Sequence, residues 1–224
     1  RRHAGRYDAM TAIITPDWPA PANILAGSTT RDSEMSLLPE GLLALNQVHG
    51  AVGVSAAALR DANEALDADA VTGQARGDVC AVRTADCLPV LFCSMDGKRV
   101  AAAHAGWRGL AAGVLENTVQ AMDVVPGNLL AWLGPAISQP NFEVGDEVRE
   151  AFLAHDEEAG AGFVPNERGR WQADLYALAR QRLAGAGIEA IYGGCWCTYA
   201  DSERFYSYRR SRDTGRMVSF VALK

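Results

Sequence analysis

The sequence predicts a layered α/β fold with a mixed sheet, and two observations carry that prediction. Short apolar segments of strand length alternate along the chain with segments whose apolar residues recur at helical spacing. The 224 residues are 49% hydrophobic and 21% charged, which is ordinary usage for one globular core. We therefore expect a single domain over residues 10–224. The basic, unpatterned residues 1–9 are expected to be an expression or misannotated leader, and His3 is given no role.

Six strands and three helices are predicted in chain order. The strands cover residues 79–84, 88–92, 99–103, 129–133, 188–192 and 217–223. One helix covers residues 110–122, a second is marked by Val144, Val148, Ala151 and Phe152, and a third runs from an Asp174 N-cap to about residue 184. Residues 156–162 and 166–169 are expected to be polar surface loops.

Three turns each place a metal-capable side chain where an apolar segment stops. These side chains are His49, Cys87 and His104. Taken singly, a histidine or cysteine is more often a packed residue than a ligand. However, two of the four histidines lie in glycine-flanked turns that also carry Gln47 or Arg108. The three side chains are too far apart in sequence for a zinc finger or a one-helix site. We therefore predict one open zinc site built from separate strand ends, with a fourth position free for water or substrate.

The motifs around these residues resemble the bacterial YfiH/YlmD family. The matching segments are QVHG (47–50), TADCLPV (84–90), HAGWRG (104–109), LGPAI (133–137), CT (197–198), SYRR (207–210) and TGRM (214–217). The resemblance runs in order from about Ile13 to Leu223. This laccase-domain family was first described as polyphenol oxidases and later as purine nucleoside phosphorylases. It implies a fold similar to the catalytic domain of cytotoxic necrotising factor toxins, and zinc held by the three predicted ligands.

The resemblance also implies the reactions. They are phosphorolysis of adenosine, inosine, guanosine or methylthioadenosine, and hydrolytic deamination of adenosine. Zinc suits both because it polarises a group in its open position and lowers the pKa of bound water to about 7. Copper is less expected, because a multi-copper oxidase needs more histidines than this chain supplies. The expected partners are therefore a purine nucleoside and phosphate.

Further site residues follow with their alternatives left open. Asp86 could orient a ligand imidazole, act as a general base, or cap its turn. Candidate substrate contacts are Arg31, Gln47, Cys197, Arg209 and Arg210, although the arginines could equally form surface salt bridges. Trp107 and Phe205 could stack on a purine or belong to the core. Cys80, Cys93 and Cys195 are expected to be packing residues.

One departure from the family concerns the segment after Arg31. The family usually carries a long glycine-rich segment there, whereas only residues 32–38 separate Arg31 from the Pro39-Glu40 that leads to the first motif. Either the protein is naturally shortened there, or a mobile loop of roughly 30 residues is absent from the sequence, and the second explanation is favoured. No substrate contact from that segment is carried over.

Two other classes of function compete with the nucleoside enzyme. A Cys-His hydrolase would use Cys87 as nucleophile, and in this family it takes the form of a cytoplasmic amidase that edits peptidoglycan precursors. A noncatalytic metal-stabilised protein would need a fourth ligand, which the sequence does not offer.

Charge and cysteine content limit the partners and the compartment. The net charge of −6 argues against nonspecific nucleic-acid binding, which requires a basic surface. Five cysteines, an odd number, do not suit a secreted disulfide framework. No apolar run is long enough to cross a membrane. We expect a cytoplasmic monomer or homodimer with reduced thiols.

Overall fold

The computed structural model describes residues 5–10, 12–43, 45–62 and 64–224. Its strands are β1 (Arg6–Asp8), β2 (Ile13–Thr15), β3 (Ile24–Thr29), β4 (Gly53–Ser55), β5 (Ala70–Gly73), β6 (Val79–Thr84), β7 (Leu88–Ser94), β8 (Val100–Ala105), β9 (Leu129–Leu133), β10 (Glu143–Val144), β11 (Phe163–Pro165), β12 (Trp171–Ala173), β13 (Ala190–Gly193) and β14 (Met217–Leu223). Its α-helices are α1 (Ala56–Asp61), α2 (Trp107–Ala111), α3 (Val114–Ala121), α4 (Asp146–Leu153) and α5 (Leu175–Gly185).

The strands form two large sheets and one small one. A six-stranded sheet has the order β13-β9-β7-β8-β5-β4, and a five-stranded sheet has the order β1-β2-β3-β14-β6. The small sheet has the order β10-β12-β11. Within the six-stranded sheet β13 is parallel to β9 and β4 to β5, whereas β7 is antiparallel to both of its neighbours. The predicted mixed α/β architecture is therefore confirmed.

Strand β7 shows why the sheets and helices stack in layers. All seven of its residues are buried, so both faces of the strand need a covering layer. Val90 and Phe92 pack into the core beneath the helices. Leu91 and Cys93 pack on the opposite face, against the five-stranded sheet. The six-stranded sheet is thus the middle layer, and the strand ends that carry the predicted ligands are fixed by packing on both sides.

The predicted helix 110–122 is two helices, α2 and α3. Gly113 lies between them with φ = 93°, a left-handed conformation that glycine adopts without the cost other residues incur. The side chains of Leu110, Val114 and Leu115 still face the same core, which explains why their spacing predicted one continuous helix.

Most of the remaining predicted elements agree with the structure, although Val144, which was predicted to mark the second helix, lies in β10 before α4 begins. Three predicted strands, 79–84, 129–133 and 217–223, match β6, β9 and β14. The Asp174 side chain accepts a hydrogen bond from the Ala177 amide and caps α5, as predicted. The predicted loop 156–162 instead contains a short 3₁₀ helix, Glu157–Gly162.

The predicted leader is partly built into the fold. Strand β1, which belongs to the expected leader, pairs with β2 at the edge of the five-stranded sheet, and the domain boundary at residue 10 stays a prediction. His3 lies outside the described residues. Across the part of the chain that is described, no helix combines the length and apolarity needed to cross a bilayer.

Replacing Gly193 by alanine should destabilise the fold more than the same change at Gly169. Both glycines have left-handed φ values, 71° and 68°, so both variants share a backbone cost of about 1 kcal/mol. A Cβ at Gly193 would lie 2.3 Å from the Leu133 carbonyl oxygen, whereas nothing lies within 4 Å at Gly169. We expect urea unfolding to show a loss of about 2 to 4 kcal/mol for Gly193→Ala. Equal losses in the two variants would contradict the close packing of β13 on β9.

Candidate metal centre

Three separate parts of the chain bring the predicted ligands together. His104 is the penultimate residue of β8, and Cys87 closes the short turn between β6 and β7. His49 lies in the turn before β4, where helix α2 packs closely. A Cβ at Gly109 of α2 would lie 2.5 Å from the Gly50 carbonyl oxygen, so only glycine allows this approach.

The three side chains form a compact cluster. One ligand atom from each of His49, Cys87 and His104 lies within 4.8 Å of the others. The Sγ of Cys87 is 4.0 Å from Nε2 of His49. His104 is buried, Cys87 partly buried and His49 exposed, so the cluster opens toward solvent on the His49 side. The predicted convergence of these three residues is thus present in the structure.

A buried carboxylate fixes the positions of both imidazoles. Asp69 is completely buried just before β5. Its Oδ1 accepts a 2.7 Å hydrogen bond from Nδ1 of His104 and a 3.0 Å bond from the His49 amide. Its Oδ2 accepts a 2.6 Å bond from the Gly50 amide. The contact with His104 leaves Nε2 of that ring for a metal ion, which is the usual carboxylate–histidine–metal arrangement.

Two of the site's turn residues adopt left-handed backbone conformations. His49 has φ = 62° and Asp86 has φ = 89°. Such conformations cost free energy in residues other than glycine and persist only where surrounding contacts hold them. Asp69 supplies those contacts at the His49 turn.

The carboxylate of Asp86 holds the C-terminal region rather than an imidazole. It accepts hydrogen bonds from Thr198 Oγ1 at 2.6 Å, Ser207 Oγ at 3.0 Å and the Arg209 amide at 2.6 Å. The imidazole-orienting role considered for Asp86 is therefore filled by Asp69. Asp86, which directly precedes Cys87, thus holds two turns that are distant in the sequence.

The residues of the cluster and Asp69 also shift one another's pKa values in the metal-free protein. Burial raises the pKa of the Cys87 thiol, but hydrogen bonds and positive charge from His104 and His49 outweigh it and bring the pKa to about 7. Burial lowers the pKa of His104, but Asp69 and Cys87 raise it to about 9. Burial raises the pKa of Asp69, while hydrogen bonds from His104 and the 49–50 turn bring it below its ordinary value. Cys87 is thus available as a thiolate at neutral pH.

These residues fit a bound divalent metal. Two nitrogens and one sulfur are the donor set that zinc prefers, and tetrahedral zinc holds such ligands about 3.3 to 3.8 Å apart. The 4.0 Å separation between Cys87 and His49 is close to that range. A Cβ at Gly106 would lie 3.0 Å from Cys87 Sγ and 3.6 Å from His104 Nε2, so the absence of a side chain there keeps space beside the ligands.

Two connected cavities flank the cluster. The larger has a volume of about 770 Å³ and contains all three ligands together with Arg83, Arg108 and Arg216, among others. We call it the arginine-lined cavity. The smaller, of about 180 Å³, lies against His49 and Cys87 and is lined largely by Trp107, Phe142, Tyr208, Ile137 and Leu175. We call it the aromatic compartment. Arg108 and Tyr208 line both, so the two cavities meet beside His49 and Cys87.

Several predicted substrate contacts have other roles. The Gln47 amide donates to the Arg83 carbonyl oxygen at 2.9 Å and accepts from the Arg83 amide at 2.8 Å, so its polar atoms face the edge of β6 although the residue lines the cavity. Arg31 donates to the Ser202 carbonyl oxygen at 2.7 Å and lines neither cavity. Arg210 donates to three carbonyl oxygens, those of Thr198, Tyr199 and Phe205.

Arg209 and Cys197 differ in their relation to the site. Arg209 lines the aromatic compartment, and its Nη1 donates to the Glu143 carbonyl oxygen at 3.0 Å. Cys197 lines neither cavity, because its Sγ accepts hydrogen bonds from the Ser138 and Ala200 amides. These hydrogen bonds hold the sulfur in its position.

The structure places the aromatic and cysteine candidates in different surroundings. Trp107 lines the aromatic compartment, whereas Phe205 is fully buried between the two large sheets and packs edge-on against Trp196. Cys80 and Cys93 are buried packing residues, as expected. Cys195 is exposed, so its expected packing role is wrong.

Sequence reasoning missed several residues that form the site. They are Asp69, Arg83, Phe142, Tyr208 and Arg216. Tyr208 and Arg216 lie inside motifs that match the family. The motifs therefore marked their positions but did not indicate that they line the cavities. Asp69 carried no local signal, because its contacts with His49 and His104 exist only in the folded chain.

The fold and the cluster together define the class of protein. A family model described as multi-copper polyphenol oxidoreductase laccase matches residues 20–224. The chain belongs to this laccase-domain family, the YfiH/YlmD family that its motifs resemble.

Individual relatives extend over nearly the whole chain. The purine nucleoside phosphorylase PA4543 of Pseudomonas aeruginosa is 47% identical over 245 residues, covering 96% of this chain and 100% of the relative. The purine nucleoside phosphorylase YfiH of Escherichia coli is 46% identical with the same coverage. The crystal structure of protein NMB0706 of Neisseria meningitidis has a TM-score of 0.88 at 43% identity, covering 95% of this chain and 99% of that one. YlmD of Geobacillus stearothermophilus has a TM-score of 0.88 at 24% identity, covering 99% of each chain, and supports the fold alone.

The alignments also show that this chain is shorter inside the matched region. They extend over 245 residues, although they cover 96% of a chain of 224. Some aligned positions of the relatives therefore have no counterpart here, in agreement with the short connection that follows Arg31.

Replacing Asp69 by asparagine should weaken metal binding while leaving the fold intact. Asparagine keeps the shape of the side chain but removes the charge that holds Nδ1 of His104, and loss of such a contact typically costs 10- to 100-fold in metal affinity. Competition with a chromophoric chelator would measure the zinc dissociation constant. Asp96→Asn is a suitable control, because Asp96 lies in the β7–β8 turn at the opposite end of the strands from His104. Unchanged zinc affinity in Asp69→Asn, with the native thermal midpoint retained, would contradict the positioning role.

Proposed function

We propose that the protein is a metal-dependent purine nucleoside phosphorylase. The observation that carries the proposal is the His49–Cys87–His104 cluster, which lines a larger polar cavity and, through His49 and Cys87, the adjoining aromatic compartment. Curated relatives that share 46% or 47% identity and are covered along their whole length bear the name purine nucleoside phosphorylase. The site and the family therefore favour the same activity.

Each part of the site has a role in phosphorolysis. A phosphate oxygen forms a bond to the anomeric carbon of the ribose while the bond from that carbon to the purine nitrogen breaks. The purine leaves with the electron pair and gains a proton, and ribose 1-phosphate remains. The aromatic side chains Trp107, Phe142 and Tyr208 would bind the planar purine by stacking and apolar contact. The ribose would then lie where the two cavities meet.

The residues around the metal act by holding groups in position. Asp69 fixes the His104 ring and the His49 turn, so that three donor atoms present one geometry. A divalent metal bound there supplies a Lewis acid beside the substrate. Zinc is the proposed metal because of the His₂Cys donor set, and copper is less expected. The described residues contain one cluster of this kind, which does not resemble a multi-copper centre.

The finer assignments belong to this proposal. They include the choice among adenosine, inosine, guanosine and methylthioadenosine, and hydrolytic deamination of adenosine as a second activity. In deamination, water adds to the ring carbon that bears the amine, and ammonia leaves. A cytoplasmic location, a monomer or homodimer, and the likeness to the cytotoxic necrotising factor domain stay predictions.

Incubation of zinc-loaded protein with adenosine should release adenine and ribose 1-phosphate only when phosphate is added. Inosine formed without phosphate would report deamination separately. Chromatography of the products with time measures both reactions. Cys87→Ser should lower the phosphorolysis rate by at least about 100-fold, because it removes a metal ligand. Cys195→Ser is the matched control, since Cys195 is exposed and outside the ligand cluster. Absence of both products with every nucleoside would overturn the proposal.

The Cys-His hydrolase remains the second candidate, because one observation favours it. The Cys87 thiol lies near the imidazole of His49, and its pKa of about 7 gives it thiolate character at neutral pH. Such a hydrolase would cleave a peptidoglycan-precursor amide through Cys87, with an imidazole as base. It would not require the metal ion.

Alkylation of Cys87 should separate a metal-bound thiolate from a free nucleophile. In chelator-treated protein the iodoacetamide rate should rise with pH and be half-maximal near 7, below the ordinary thiol value of 9.0, because the thiolate is the reactive form. In zinc-loaded protein we expect at least about 10-fold slower labelling at pH 8, because the metal occupies the sulfur lone pair. Peptide mass spectrometry would measure labelling at Cys87, with Cys195 as the internal reference. Equal labelling in both forms, with dipeptide cleavage by the chelated protein, would favour the hydrolase instead.

A further inference from the structure

Three arginines from separate parts of the chain converge on the arginine-lined cavity. Arg83 comes from β6, Arg108 from α2, and Arg216 from the segment just before β14. No carboxylate side chain lines this cavity in the described part of the protein. Its charged lining is therefore positive, apart from the thiol of Cys87.

None of the three guanidinium groups is neutralised by a carboxylate among the described residues. In a chain with 27 acidic and 21 basic residues, one would expect such arginines to form ion pairs. Other arginines do form such pairs, among them Arg182 with Glu116 and Arg204 with Asp201. The cavity is thus a positive region in a protein whose net charge is −6.

Local contacts position each arginine without using all of its donors. The backbone of Arg83 is held by the two hydrogen bonds with Gln47. The Arg108 guanidinium lies 4.4 Å from the centre of the Trp107 ring, which leaves its edge N–H groups available. Nη1 of Arg216 donates to the Thr214 and Gly215 carbonyl oxygens, and the remaining guanidinium nitrogens have no described acceptor.

We propose that Arg83, Arg108 and Arg216 form the subsite that binds the phosphate group. Guanidinium groups donate paired hydrogen bonds to phosphate oxygens, and a cavity without carboxylates does not repel the anion. This inference rests on the proposed phosphorolysis. It replaces Arg31 and Arg210 as phosphate contacts, because the hydrogen bonds described for those two side chains go to backbone carbonyl oxygens.

The position of this subsite suits the reaction. The incoming phosphate and the departing purine must lie on opposite sides of the anomeric carbon. The three arginines line one cavity, and the aromatic compartment adjoins it, because His49 and Cys87 line both. Arg108 and Tyr208 line both cavities, so a ribose held at the junction would have phosphate on one side and purine on the other.

Titration of zinc-loaded protein with inorganic phosphate in a calorimeter tests the subsite directly. Arg83→Gln, Arg108→Gln and Arg216→Gln should each raise the phosphate dissociation constant about 10- to 100-fold, as expected for loss of a charge-assisted contact. Arg76→Gln is the control, since Arg76 is an exposed arginine in the β5–β6 turn and lines neither cavity. Circular dichroism and zinc content would show that each variant is folded and loaded. Unchanged phosphate affinity in all three variants would overturn the proposal.

Steady-state kinetics give a second readout that a structural role would not produce. The variants should raise KM for phosphate about 10- to 100-fold while changing KM for the nucleoside by less than about 3-fold. A matching rise in both constants would indicate general damage and contradict the assignment. Replacement of Arg83, Arg108 or Arg216 by lysine should restore part of the phosphate affinity, because charge is kept but the paired donors are lost.

Parallel titrations identify the source of the phosphate group. Adenosine 5′-monophosphate carries the same group on the nucleoside itself. Tighter binding of inorganic phosphate supports the co-substrate subsite, whereas binding of the monophosphate alone would overturn it. If phosphate binds through the arginines but no nucleoside is cleaved, the proposed function fails and the anion subsite stands. If phosphorolysis occurs with unchanged KM for phosphate in all three variants, the function stands and the subsite fails.

Discussion

The site depends on the buried Asp69 carboxylate. Its oxygens accept hydrogen bonds from both the His104 ring and the backbone of the His49 turn. A buried carboxylate is tolerated only when hydrogen bonds and positive charge compensate for lost hydration. Here the residues that compensate Asp69 are the same residues that carry the metal ligands. The cost of burying the charge and the geometry of the cluster are therefore linked, and neither imidazole can move far without leaving the carboxylate poorly solvated.

The surrounding fold makes this arrangement rigid. The β7 strand is buried on both faces, between helices on one side and the five-stranded sheet on the other. Cys87 and His104 lie at one end of the β7–β8 pair, so their backbones are held by two buried, hydrogen-bonded strands. The exposed His49 comes from a longer connection and needs the additional contacts from Asp69 and α2. Rigid strand ends thus position Cys87 and His104, and a turn held by Asp69 and α2 positions His49.

The sequence could predict what local patterns encode. The strands β6, β9 and β14 and the capped helix α5 followed from apolar periodicity and turn residues. The three metal ligands followed from residue type and motif resemblance. The short strands β10 to β12 were missed, because two or three residues give no usable periodicity. The sequence could not predict that Asp69 would contact His49 and His104, because these contacts join distant segments. It also could not predict that Arg216 lines the larger cavity whereas Arg31 does not. Arginine in a sequence does not show whether its guanidinium will meet a cavity or a carbonyl oxygen.

The contacts of Asp86 connect the lining of both cavities to the His49–Cys87–His104 cluster. Its carboxylate binds Thr198, Ser207 and the backbone of Arg209, while its own main chain leads directly into Cys87. Tyr208 stands between two of the anchored positions and lines both cavities. A shift of this C-terminal loop would therefore move Asp86 and, through the peptide bond between them, Cys87. Substitutions on this loop could change the shape of both cavities, but only within displacements that the Cys87 side chain can follow.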